Sequence, residues 1–246
     1  MPLVAANGVQ LHVQDLGTAG PPVVMLHGLL IGSAASWYFT SAPVLARTRR
    51  VRVYDLRGHG MSELARSDYS VSAMAADLAA IAGDEPVDLV GHSWGALVAL
   101  RFALNHPARL RRLVLVEAPM PPSSIPETIA FAANTDPARL VAALPVQLRV
   151  PGRRRERLVR SLERLVSQTS LVAELLAERE PDSDELTHLA PSTLLVYGDR
   201  SPCRDGGRRL AEAIPDARYT ELPGGHYLHL DARDALTELI VGHLDG

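Results

Sequence analysis

The apolar positions of the chain fall into two rhythms. Short, buried-looking runs at Val23–Leu26, Val51–Tyr54, Val87–Val90, Leu113–Val116, Thr193–Tyr197 and Arg218–Glu221 have the length and residue types of strands covered on both faces. Between them, apolar residues recur every three or four positions and predict helices over Ser36–Ala46, Val71–Ala82, Trp94–Asn105, Arg204–Ile214 and Asp231–Leu244. Strands alternating with helices of crossover length imply an α/β architecture, a doubly wound and mostly parallel sheet. Before the first of these runs, Asn7-Gly8 separates two alternating segments. Both residues tolerate the positive φ of a two-residue hairpin, so the chain is expected to open with one.

One interval breaks the alternation. From Ala118 to Leu189 about seventy residues separate two strands, where a crossover needs little more than about a dozen. Helical spacing recurs inside it at Pro126–Asn134, Asp136–Leu144, Arg153–Ser167 and Leu171–Glu180, with Pro and Asp at the breaks. The expected organisation is a core formed by residues 1–118 and 190–246, with a helical cap inserted at 119–189.

Composition narrows the function classes. The 246 residues are 47% hydrophobic and 22% charged, which suits one large core. The net charge is −3 and every basic residue is arginine, so there is no general electrostatic footprint for nucleic acid. Arg153-Arg154-Arg155-Glu156-Arg157 opens an amphipathic helix with no accompanying aromatics and reads as a solvated face. Cys203 is the single cysteine, which excludes an internal disulfide and a thiolate metal cluster. Met1–Gln10 lacks the basic start and apolar run of a signal peptide, and Val23–Ile31, interrupted by His27 and Gly28, is too short to span a bilayer. A cytoplasmic protein without a membrane partner is expected. Phosphate-loop and dinucleotide glycine patterns are missing, and no cofactor is expected.

The chemistry-bearing motif is Gly91-His92-Ser93-Trp94-Gly95, between the strand Val87–Val90 and the helix opening at Trp94. A G-x-S-x-G turn needs that strand–turn–helix setting to push a serine hydroxyl out at the carboxyl edge of a sheet. The competing reading is a serine that caps a helix. Three further motifs accompany it in order: His27-Gly28 after a strand, Asp55-Leu56-Arg57-Gly58-His59-Gly60-Met61-Ser62, and Gly225-His226 after the last strand. Together these residues resemble the α/β-hydrolase superfamily, from the first hairpin to the last helix.

The resemblance implies Ser93 as nucleophile and His226 as its base, ahead of His229, with the backbone N–H groups of Leu29 and Trp94 as oxyanion donors. His27, His59 and His92 then brace loops. No metal site is expected around His226 or His229, because no H-E-x-x-H or carboxylate at helical spacing accompanies them. In its usual place the family's acid would stand at Ser201, which is a departure. Two candidates remain. Glu117, directly after Leu113–Val116, matches the acid position of some members, including certain thioesterases and lactone hydrolases, and is preferred over Asp199.

Trp94 beside the nucleophile resembles the Asp-Trp pair of haloalkane dehalogenases, but Ser93 is no carboxylate for alkyl displacement. A serine triad serves acyl carbonyls, and the Leu-, Val- and Ala-rich interval implies an apolar pocket. Phe131 is its only aromatic, so substrate contacts are assigned to Trp37, Tyr38, Trp94 and Tyr227. The expected activity is hydrolysis of a small hydrophobic acyl substrate, an ester or lactone, through an acyl-enzyme. Alternatives are thioester release or cyclisation of a chain held by an acyl-carrier partner, cleavage of a carbon–carbon bond next to a ketone, and a ligand receptor with a silent triad.

Overall fold

In a computed structural model the protein is described at residues 2–120, 136–144, 148–149 and 151–246. Among these residues eight strands form one sheet in the order β1-β2-β4-β3-β5-β6-β7-β8. They are β1 Leu3–Ala6, β2 Val9–Leu16, β3 Pro22–Leu26, β4 Arg50–Tyr54, β5 Val87–His92, β6 Leu110–Val116, β7 Thr193–Gly198 and β8 Ala217–Leu222. The opening hairpin pairs antiparallel across Asn7 and Gly8, both at positive φ (46° and 79°). β2 runs antiparallel to β4, and every later pairing is parallel.

The continuous apolar runs are explained by the pleat. Val24, Leu26, Leu113 and Leu115 point into one core, beside the helices Val71–Ala82, Trp94–Asn105 and Arg204–Ala213. Val23, Met25, Val114 and Val116 point into a second, with Trp37, Leu45 and the helix Arg233–Asp245. Successive side chains alternate faces and both faces are covered, so apolar residues dominate both registers, and the buried exceptions are partnered, Asp88 by Arg49 at 2.6 Å and Thr193 by the Pro191 carbonyl at 3.1 Å. Each such side chain contributes about 1.5–3 kcal/mol on burial.

Two predicted helices are divided. Ser36–Ala46 is two short helices, Ala35–Tyr38 and Ala42–Leu45. The Thr40 hydroxyl donates to the Ser36 carbonyl at 2.5 Å and Pro43 stands in the first turn of the second helix, which ends the first helix early. Asp231–Leu244 becomes a turn Leu228–Asp231 and a helix Arg233–Asp245, divided at Ala232, whose φ of −136° is not helical.

Between β6 and β7 the helices Pro137–Ala143, Gly152–Ser167, Leu171–Ala177 and Ser183–Thr187 are described; the predicted helix Pro126–Asn134 lies outside the described residues. Leu165, Leu171, Leu175 and Leu186 pack in the same apolar cluster as Trp94 and Leu97 at the start of the helix after Ser93. Arg57 is fixed against that side of the core by a bidentate pair with buried Asp77, at 2.7 and 2.6 Å, which anchors the Asp55–Ser62 turn.

Candidate active site

β5 ends in a turn that only its sequence can make. Ser93 sits at φ 55°, ψ −123°, a strained setting for a residue with a side chain, at a cost of about 1–3 kcal/mol. A Cβ on Gly91 would stand 2.4 Å from the Gly95 carbonyl, and one on Gly95 would stand 2.4 Å from the His27 carbonyl. Both glycines are therefore required. The Ser93 N–H donates to the Val116 carbonyl at 2.8 Å, tying the turn to β6.

His226 reaches this serine from the loop after β8. Its Nε2 lies 2.9 Å from Ser93 Oγ and its Nδ1 3.0 Å from Glu117 Oε2. With Nδ1 protonated toward the carboxylate, Nε2 is left as acceptor for the serine hydroxyl. The loop is pinned on both sides of the imidazole: the Gly224 N–H donates to Asp199 at 2.9 Å, the Gly225 N–H to Asp231 at 2.8 Å, and His92 Nε2 to the His226 carbonyl at 2.8 Å.

Glu117 is fully buried at φ 57°, directly beyond β6, with its N–H on the Val196 carbonyl at 2.9 Å. Its Oε1 accepts from the Gly198 N–H, and its Oε2 accepts from the Ser201 hydroxyl as well as from His226. A buried carboxylate needs such donors. Of the two acid candidates, the structure brings Glu117 to His226. Asp199 instead holds the Gly224 N–H and pairs with Arg200 at 3.1 Å.

Burial would push the His226 imidazole down, but its hydrogen bonds to Cys203 and Glu117 and the Glu117 charge outweigh it and raise its pKa to about 9. Its neighbours go the other way: burial lowers His229 to about 4 and pushes His92 well below its ordinary value. His229 Nδ1 has no hydrogen-bond partner among the described residues, and it is His226 whose Nε2 stands at hydrogen-bond distance from Ser93 Oγ. His27 and His59 are braces. Each accepts a backbone N–H, from Leu56 and from Leu30, both at 2.9 Å, and each donates to a nearby carbonyl.

A small open cleft lies beside Ser93, lined by Leu29, Ser36, His92, Tyr227 and His229 among others. Gly28 lies against the serine, since a Cβ there would stand 2.9 Å from Ser93 Cβ. This puts the Gly28-Leu29 backbone next to the start of the helix Trp94–Asn105, whose first N–H groups lack intrahelical partners. The expected substrate contacts divide. Tyr227 lines the cleft, whereas Trp37 is fully buried with its Nε1 donating to the Leu26 carbonyl at 2.8 Å and belongs to the core. Tyr38 lines a separate depression with Phe39 and Met61. Trp94 is buried, and its Nε1 has no partner among the described residues.

Two contacts escape the sequence reading. Ser201, standing where the resemblance expects an acid, donates to Glu117; its position after Gly198 was the available signal. Cys203 Sγ lies 3.7 Å from His226 Nδ1, and no spacing in the chain announces it.

The family described as "alpha/beta hydrolase fold" matches residues 21–155, more than half of the chain, and the protein belongs to that family. A 2-hydroxy-6-oxo-2,4-heptadienoate hydrolase of Pseudomonas putida is 40% identical over 122 residues, which is 47% of this chain and 44% of that one. The chain spans less than half the length of the first curated relatives it matches. A magnesium-chelatase 30 kDa subunit of Rhodobacter capsulatus is 30% identical over 264 aligned positions, covering 95% of this chain and 90% of the relative. Among solved structures, the enol-lactonase of Burkholderia xenovorans superposes over the full length of both chains with a TM-score of 0.80 at 24% identity, which shows a shared fold.

Proposed function

We propose that the protein is a serine hydrolase that cleaves a hydrophobic carboxylic ester or lactone through an acyl-enzyme. The observation that carries this reading is the unbroken hydrogen-bonded relay from Ser93 through His226 to Glu117. His226 Nε2 takes the hydroxyl proton as Ser93 Oγ attacks the carbonyl carbon. Glu117 stabilises the imidazolium that results. Negative charge developing on the carbonyl oxygen falls to the N–H groups of Leu29 and Trp94, aided by the helix N-terminus behind Ser93. The imidazolium then protonates the leaving oxygen, and water repeats the sequence on the acyl-enzyme. In this reading residues 119–189 form the cap that excludes water, with Tyr227 at the wall of the cleft.

A second reading, hydrolysis of a carbon–carbon bond beside a ketone, is favoured by the Pseudomonas relative, whose name specifies an oxo-dienoate. One panel tests both. A fluorophosphonate probe should label the wild type and not Ser93→Ala, and turnover is then compared across esters, lactones and oxo-dienoates. Absence of labelling refutes the serine mechanism, and turnover confined to oxo-dienoates selects the second reading.

A further inference from the structure

The far side of the His226 ring from Ser93 carries more than its carboxylate. Cys203 Sγ, 96% buried, lies 3.7 Å from His226 Nδ1, and the same nitrogen lies 3.0 Å from Glu117 Oε2. Sulfur, carboxylate oxygen and ring nitrogen all lie within 4.8 Å of one another. A tetrahedral zinc ion, with bonds of about 2.3 Å to sulfur and about 2.0–2.1 Å to nitrogen and oxygen, places S and N about 3.5 Å apart and N and O about 3.3 Å apart. The observed separations of 3.7 and 3.0 Å differ from these by a few tenths of an ångström.

The surrounding groups are those a metal site uses to hold its ligands. Glu117 is oriented by the Gly198 N–H and the Ser201 hydroxyl, and Ser201 Oγ accepts the Cys203 N–H at 3.0 Å, so carboxylate and thiol are tied to one bracket. The His226 side chain is 26% exposed, while Glu117 is fully buried. The three ligands come from three distant segments, which is why no ligand spacing is legible in the chain.

We propose that Glu117, Cys203 and His226 form an inhibitory site for a thiophilic divalent cation, zinc above all, which captures His226 through Nδ1. A thiolate in the ligand set selects zinc over magnesium or calcium. Binding releases the thiol proton to solvent. The imidazolium also loses its Nδ1 proton to solvent, Nδ1 donates its electron pair to the metal, and the neutral imidazole is left with its proton on Nε2. Nε2 then faces Ser93 Oγ as a donor and cannot accept the serine proton. The metal thus inhibits by imposing the wrong tautomer. The inhibition rests on the serine-hydrolase reading; the binding does not.

The test uses the full-length, tag-free protein with cobalt(II) and zinc(II). Stoichiometric cobalt should give the near-ultraviolet thiolate-to-cobalt charge-transfer band, which zinc should remove by displacement. Because the chain has a single cysteine, that band can arise only from Cys203. No band from the wild type overturns the site, whatever any variant does. His226→Asn and Glu117→Gln should each weaken metal binding by at least about tenfold, and Ser93→Ala should not. Unchanged binding in both ligand variants overturns the ligand set. Zinc should also slow fluorophosphonate labelling of the wild type by at least about tenfold, reversed by a chelator. Labelling at full rate with zinc bound overturns the inhibitory role. A wild type that takes no probe even without metal refutes the hydrolase reading instead, and the cobalt spectrum still decides the site.

Discussion

The Ser201 hydroxyl donates to Oε2 of Glu117, the same oxygen that accepts from His226 Nδ1. The position where an acid would ordinarily stand has thus become a support for an acid held by the neighbouring strand. Two carboxylates so close would repel one another and push one toward its neutral form. A hydroxyl instead gives the buried charge a donor, so the serine and the glutamate are one arrangement rather than two departures.

Glu117→Gln keeps the shape but loses the charge that stabilises the imidazolium, and is expected to lower kcat by up to about four decades. Asp199→Asn should cost less than about tenfold, because its amide oxygen can still accept the Gly224 N–H. Steady-state rates of the two variants decide. A larger loss from Asp199→Asn would move the acid there.

Ser201→Ala removes a donor from a buried carboxylate and an acceptor from the Cys203 N–H. The expected loss of stability is about 1.5–3 kcal/mol, read as a lower urea midpoint with unchanged slope. A midpoint equal to wild type would mean that water replaces the hydroxyl.

Activity should rise with pH. In the proposed mechanism the neutral imidazole is the base, and with its pKa held up at about 9 the larger part of His226 is protonated at neutral pH. The rate–pH profile should climb through that value. Cys203→Ala removes one of the contacts that raise it and should shift the midpoint to lower pH. A wild-type plateau reached by pH 7 would contradict this environment for the ring.

Gly28→Ala would put a methyl group 2.9 Å from Ser93 Cβ and 3.4 Å from its Oγ. Moving the Gly28-Leu29 backbone away by that much should misplace an oxyanion donor and cost about 10²–10³ in kcat. Melting temperature, measured alongside, should fall less than activity does. Near-normal turnover would show that the loop does not serve the oxyanion.

The sheet was legible because strands buried on both faces leave short, mostly apolar runs, and the elbow because steric crowding demands glycine at both flanks. Glu117 was legible for a related reason: a carboxylate directly after Leu113–Val116 has no solvent to face. Direction was not legible. Trp37 and Tyr227 look alike as aromatic residues near motifs, yet Trp37 turns its N–H to the Leu26 carbonyl while Tyr227 faces the cleft. Which way a large ring points depends on packing between distant segments. The Cys203–His226 contact joins residues whose meeting depends on where the helix Arg204–Ala213 begins against β8, and pattern alone does not specify it.

The relay also has a chronology. Ser93 precedes His226 by 133 residues in the order of synthesis, and Glu117 precedes it by 109. At roughly 5–20 residues per second, Ser93 leaves the ribosome about 7–27 s before His226. Through that interval a nascent chain exposes an ordinary alcohol with nothing to remove its proton, beside a carboxylate whose clamp on β7 has yet to be made. On the proposed mechanism, reactivity therefore has to wait until the loop after β8 has been made, so a stalled or truncated product lacking it would carry the serine without its base.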